Sequence, residues 1–165
     1  MGAIDYVPYS RQAYSTHRLG FLSLATTIKN CFCGNKFIFE HCCQPLIEGK
    51  VVAKDAEVLM RSRFTAYVIK NYQYILQTYS AALRTKITVS ELAHSAKDTQ
   101  WLSLQVLAHF VEKNTAQVEF KAFYQVHNSY YVMHELSDFV FEAGKWLYND
   151  GAMQKGSGEF TPERN

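Results

Sequence analysis

The amino-acid sequence predicts an α+β fold: helices packed on a curved antiparallel sheet, a cone, preceded by a small cysteine-rich knuckle. Three observations carry this reading. All four cysteines fall between positions 31 and 43; apolar residues between 56 and 79 recur at the helical period; and from Trp101 onward the period shortens to that of a strand. A chain of 165 residues suits one main core. Its 48% apolar and 19% charged residues exclude wholesale disorder. A net charge of +2 supplies no electrostatic reason for a phosphate-rich partner, so nucleic-acid binding is not expected.

Residues 1–30 read as a flexible extension. Arg11, Arg18 and Lys29, the single acid Asp5 and the short, broken run Leu19-Gly20-Phe21-Leu22-Ser23-Leu24-Ala25 do not make a signal peptide. No apolar stretch approaches the roughly 18 residues that span a bilayer, so no membrane association is expected. The knuckle, residues 31–50, comes next. In the cone domain, residues 51–151, Asp55 is placed to cap a helix bearing Ala56, Leu59, Met60, Phe64, Tyr67 and Val68. Asn71 breaks it, and Tyr72, Ile75, Leu76 and Tyr79 form a second stripe. Thr88-Val89-Ser90-Glu91 reads as a capping box that starts a short helix carrying Leu92.

Alternation over Leu102, Leu104, Val106, Ala108 and Phe110 predicts the first strand, with a turn at Glu112-Lys113-Asn114-Thr115. Val118 to Val126 forms the second strand, Tyr130 to Phe141 the third, and Trp146 to Asn149 the last. Residues 152–165 have loop composition and read as a flexible tail.

The cysteines stand as Cys31-Phe32-Cys33, eight residues, then Cys42-Cys43. Four thiolates complete a tetrahedral zinc shell, and a closed shell is structural, not catalytic. Gly34 gives the tight Cys-x-Cys turn its backbone freedom. Adjacent side chains of an extended strand point apart, so the backbone at Cys42 must turn or begin a helix. His41, beside the pair, is an alternative ligand. Disulfides within so short a segment would close small, strained loops and constrain the unfolded chain little. The packing of the cysteines suits a reducing compartment and a cytoplasmic protein.

Cys31-Phe32-Cys33-Gly34, Cys42-Cys43, Gly49-Lys50 and the run from Ala56 to Tyr67 resemble the bacterial YchJ-like family, as do His134 to Phe139 and Gly144 to Gly151. The resemblance covers residues 31–151. It implies a SEC-C-type zinc motif, similar to the tail of the export ATPase SecA, followed by a nuclear transport factor two-like cone. It carries the zinc-ligand role onto Cys31, Cys33, Cys42 and Cys43, and no catalytic role onto any residue. Phe32 stands where the family usually has Pro, and Asn35 where Ser is usual.

A pocket in such a cone would be lined by Tyr67, His109, His134, Asp138 and Trp146, with Glu119 and Glu135 as further titratable candidates. His134 shares parity with Val132 and Leu136, which favours the interior; it also reads as a hydrogen-bonded core or edge histidine. Arg61 and Arg63 read as a solvated helix edge or a structural ion pair, and could also reach a carboxylate at the pocket rim. Two functions follow. The first is a binding module whose knuckle contacts a protein partner, as the SecA tail contacts its chaperone and the ribosome. The second is an enzyme or a binder of a small apolar ligand in the cone, which rests on analogy of fold.

Overall fold

The computed structural model describes residues 30–162. The extension expected over residues 1–30 lies outside them, except for Asn30, which bridges Ile38 at the edge of the knuckle. A 3-10 turn, Phe39–His41, and helix α1, Gln44–Ile47, complete the knuckle.

Helix α2, Ala56–Val68, starts where Asp55 accepts a hydrogen bond from Val58 N at 2.8 Å. It is buried on more than one side. Leu59, Met60 and Phe64 join the core under the sheet, whereas Ala66 joins a second core with Tyr74, Ile75 and Leu92. Ser62 and Thr65 are also buried, and Ser62 is satisfied by Leu59 O at 2.8 Å and the Tyr74 hydroxyl at 2.7 Å. Asn71 ends one helix and begins the next. Its N–H donates to Ala66 O at 2.8 Å, and its side chain accepts from Tyr74 N at 3.0 Å to cap α3, Tyr72–Gln77. A short α4, Ala81–Arg84, leads to α5, Val89–Ser95, which opens on a reciprocal Thr88–Glu91 capping box.

Four long antiparallel strands follow in the order β1-β2-β3-β4: Thr99–Glu112, Thr115–Val126, Ser129–Glu142 and Lys145–Met153. Three hairpins join them. The last turns through Ala143 (φ 48°) and Gly144 (φ 79°), the left-handed pair that matches strand twist. The tail does not simply leave the fold: β4 runs on to Met153, and β5, Gly158–Phe160, pairs with the start of β3 at Tyr130–Val132.

Bulges decide which side chains face the helices. Strand β1 shifts register between Trp101 and Ser103 and again between Val106 and Ala108. A single alternating face from Leu102 to Phe110 is therefore not what forms. Leu104 is buried, while Leu102, Leu107 and Phe110 are exposed. A third shift, between Asp138 and Phe139, sets Tyr148 opposite Phe139 and Gly151 opposite Ser137, so that Asn149 is the extra residue.

The main core joins α2 to the sheet through Phe64, Val118, Phe120, Phe139 and Trp146. Phe139 is 1% exposed at its centre. Phe139→Ala is expected to cost about 3–5 kcal/mol in urea unfolding. Phe110→Ser, at a position 59% exposed, is expected to stay within about 0.5 kcal/mol.

Candidate functional site

Backbone hydrogen bonds help to close the knuckle. Cys31 N donates to Phe37 O at 2.8 Å, and Gly34 N donates to Cys31 O at 3.1 Å. Gly34 has φ 83°, and a Cβ there would press on the Leu104 carbonyl, so glycine lets the knuckle lie against β1. The adjacent cysteines are separated by a change of helix type. Cys42 ends the 3-10 turn at φ −123°, ψ −93°, and Cys43 opens α1 with right-handed helical angles. That is how two neighbouring side chains reach the same point.

The sulfurs of Cys31, Cys33, Cys42 and Cys43 all lie within 4.8 Å of one another. Cys33–Cys42 and Cys42–Cys43 are 3.6 and 3.9 Å apart. Thiolates about 2.3 Å from a tetrahedral ion sit about 3.8 Å from one another, so the donor set fits such an ion. All four are free cysteines, and Cys31, Cys33 and Cys43 are buried. His41 is exposed and is not part of the cluster.

Cys31, Cys33 and Cys43 shift one another's thiols in opposite directions. Hydrogen bonds from Cys33 and Cys43 hold the Cys31 thiol far below its usual range. The same contact with Cys31 pushes Cys33 up to about 12 and Cys43 higher still, with burial adding to both. A cation among the sulfurs would stabilise their thiolates, the form in which cysteine ligates a metal.

Side chains outside the cysteine segment fix the knuckle to the cone. Arg61, on α2, donates from Nη1 to Cys33 O and from Nε to Glu57 Oε1, both at 2.8 Å. On the sulfurs themselves, Thr65 Oγ1 lies 3.8 Å from Cys31 Sγ, and Asn35 Nδ2 donates to Cys42 Sγ at 3.7 Å. His109 Nδ1 lies 3.8 Å from Glu57 Oε2, so this histidine supports the α2 anchor.

A cavity of about 320 Å³ opens between α2 and the sheet, with Arg63, Tyr67, Tyr79, Glu135, Ser137 and Tyr148 on its walls. Four of the expected pocket residues are elsewhere. His109 shares the inner face with its β2 partner Val118, but it stands farther along β1, beside Glu57 at the start of α2 and away from the cavity. His134 and Asp138 face outward, because inward Val118, Phe120 and Ala122 pair with Ser137, Glu135 and Met133. Parity misled for a physical reason: the outer face is also apolar there, with Phe123 packed edge-on to Phe160 of β5 at 5.8 Å. His134 is instead bonded through Nε2 to Glu119 at 2.7 Å and through Nδ1 to Lys155 O at 2.9 Å. Asp138 accepts from Gln117 Nε2 at 2.8 Å. Trp146 is buried on Phe141 and lines a separate hollow beside α1. Tyr67 lines the cavity, and burial pushes its phenol up, as it does that of Tyr148.

Residues 55–151 match the family model described as the middle, NTF2-like domain of YchJ. The chain belongs to the YchJ-like family. A UPF0225 protein of Shewanella sp. strain MR-4 is 36% identical over 135 residues, 74% of this chain and 80% of the relative. One from Actinobacillus succinogenes is 35% identical over 126 residues, 75% and 82% of the two chains. The solution structure of a SEC-C motif protein from Rhodopseudomonas palustris superposes with a TM-score of 0.72 at 30% identity, over 75% of this chain and 98% of that one. A crystal structure of a SEC-C motif protein from Psychrobacter arcticus gives 0.67 at 29% identity, over 82% and 86%.

In this YchJ-like chain, the supporting residues Asn35, Glu57 and Thr65 carry no sequence signal beyond their residue type, and Arg61, expected at a solvated helix edge or in an ion pair, bonds both Glu57 and the Cys33 carbonyl. Chelation under reducing conditions is expected to expose residues 31–50 to limited proteolysis and to make all four thiols reactive, with both effects reversed by restoring the metal. Arg61→Ala is expected to retain the metal and to lose about 1.5–3 kcal/mol of stability. Hydrogen exchange should then rise first at residues 31–37.

Proposed function

We propose that the protein is a zinc-stabilised binding module of the reducing, cytoplasmic compartment, whose knuckle docks a protein partner. The observation that carries this reading is the exposure of two aromatic side chains of the knuckle, Phe32 between the first two cysteines at 47% and Phe37 on the loop between the cysteine pairs at 67%. Phe32 is braced edge-on against Phe39 at 6.2 Å, and Phe37 lends its carbonyl to Cys31 N. Both are therefore held by a loop that the metal cluster closes. Exposed aromatics on a rigid frame lose little entropy on docking and supply the apolar anchors that dominate interfaces. Zinc is the ion of choice because four buried thiolates in a tetrahedral arrangement select it over harder cations. Four free thiols this close survive as ligands only where disulfides are kept reduced.

A second reading, small-molecule binding in the cone, is favoured by the cavity beneath α2 and its charged walls. The two readings use different surfaces and are compatible.

The docking reading is tested by quantitative co-purification from native cells with wild type, Phe32→Ser and Phe37→Ser. Metal content and melting temperature are measured on each. The expected result is retained zinc, unchanged melting and at least one stoichiometric partner lost from both variants. A partner set indifferent to both substitutions would sink the reading.

A further inference from the structure

The cone cavity supports a more specific assignment, which rests on the second reading above. Arg63 is only 6% exposed and lines the cavity. Its Nη1 donates to Ile75 O at 2.9 Å and to Thr78 Oγ1 at 2.6 Å. The guanidinium lies over two rings, with Cζ 4.5 Å from the centroid of Tyr79 and 4.6 Å from that of Tyr148. These contacts fix its plane. Among the described residues no carboxylate forms a salt bridge with it, and its Nε and Nη2 donate to none of their atoms. A buried guanidinium held in one orientation, with donors to spare on a cavity wall, is a preorganised carboxylate receptor.

The same cavity contains one anion of its own. Glu135 Oε1 accepts from the Ser137 hydroxyl at 2.5 Å and from the Tyr148 hydroxyl at 3.1 Å. Space for this arrangement comes from Gly151, where any Cβ would collide with both the Glu135 carboxylate and the Tyr148 hydroxyl. Glu135 is thus held by neutral donors on β3 and β4, leaving Arg63 to an outside anion. It would also repel a second negative charge on the same ligand. Apart from Ser95 and Thr99, most of the remaining walls are apolar, with Phe64, Trp101, Phe120, Met133 and Phe139 among them.

We propose that this cavity binds a small monocarboxylate with an aromatic or bulky apolar body, its carboxylate on Arg63 and its body among the apolar side chains. Glu135 acts as the specificity determinant that rejects dianions. A volume of about 320 Å³ limits the ligand to the small end of the range that protein pockets hold.

The test titrates the full chain, zinc loaded, with 2-naphthoate and with its neutral counterpart 2-naphthamide, followed by two-dimensional NMR that includes the Arg63 Nε–Hε signal. Charge-assisted hydrogen bonds contribute about 1.5–3 kcal/mol, so the naphthoate is expected to bind about ten- to a hundredfold more tightly. The Arg63 Nε–Hε signal should shift with the acid and stay in place with the amide. Arg63→Met should erase the preference. Should that variant not fold, Glu135→Gln supplies an independent check: it is expected to admit naphthalene-2,6-dicarboxylate, which the native protein rejects. Equal affinity for acid and amide would overturn the carboxylate assignment while leaving a cavity that binds small molecules. Failure of both to bind at millimolar concentration would overturn the assignment and the small-molecule reading together.

Discussion

The structure depends on α2 being buried from more than one direction. A helix on the surface of a sheet shows one apolar stripe and one wet face. Here the face turned from the sheet is occupied as well, by the knuckle and by α3, and it is filled with small or hydrogen-bonded residues: Ser62, Thr65 and Ala66. That composition follows from close approach. The Ser62 hydroxyl is spoken for by Leu59 and Tyr74, and the Thr65 hydroxyl lies against the Cys31 sulfur, so neither buried polar group is left without a neighbour.

This double burial explains why two arginines two positions apart serve different sites. Successive residues of an α-helix are about 100° apart around the axis, so positions 61 and 63 diverge by about 200°. Arg61 meets the carbonyl of Cys33 in the knuckle, and Arg63 enters the cavity beneath the sheet. The cysteine cluster and the cavity are consequently neighbours through one helix. The knuckle is also no loose appendage, because α1 places Leu46 in the core under the sheet and Ile47 against the second core and the cysteines. Closing the cysteine cluster thereby fixes one flank of the helix that carries the cavity's cation.

The cavity end of the sheet is shaped by a different constraint. The segment Thr78–Ser80 docks on β4, with Tyr148 N donating to Thr78 O at 2.9 Å and Ser80 N donating to Tyr148 O at 2.7 Å. This brings the Tyr79 and Tyr148 rings within 5.4 Å of each other, close to the Arg63 guanidinium that lies over both. The bulge at Asn149 then restores Gly151 to the inner face, where its lack of a side chain leaves room for Glu135. Regular alternation through Asn149, with no bulge there, would turn Asp150 inward in its place.

The sequence by itself determined everything that rests on local chemistry: the four cysteines and their tight turn at Gly34, the Asp55 cap, the Thr88–Glu91 capping box, and the strands that alternate between turns. Each depends on residues only a few positions apart, so spacing is enough to read it. Tertiary structure decided which side chains meet across the fold. A bulge flips every later residue of a strand, and a strand apolar on both faces hides which one is inside. For that reason His134 and Asp138 face away from the cavity, His109 and Trp146 lie on its side of the sheet but elsewhere along the strands, and Arg63, Glu135 and Tyr148 share it with Tyr67. Likewise the contacts of Arg61 and Thr65 with the cysteine segment join residues 28 and 34 positions apart. Pairings of that kind are fixed by packing and register, and no local pattern encodes them.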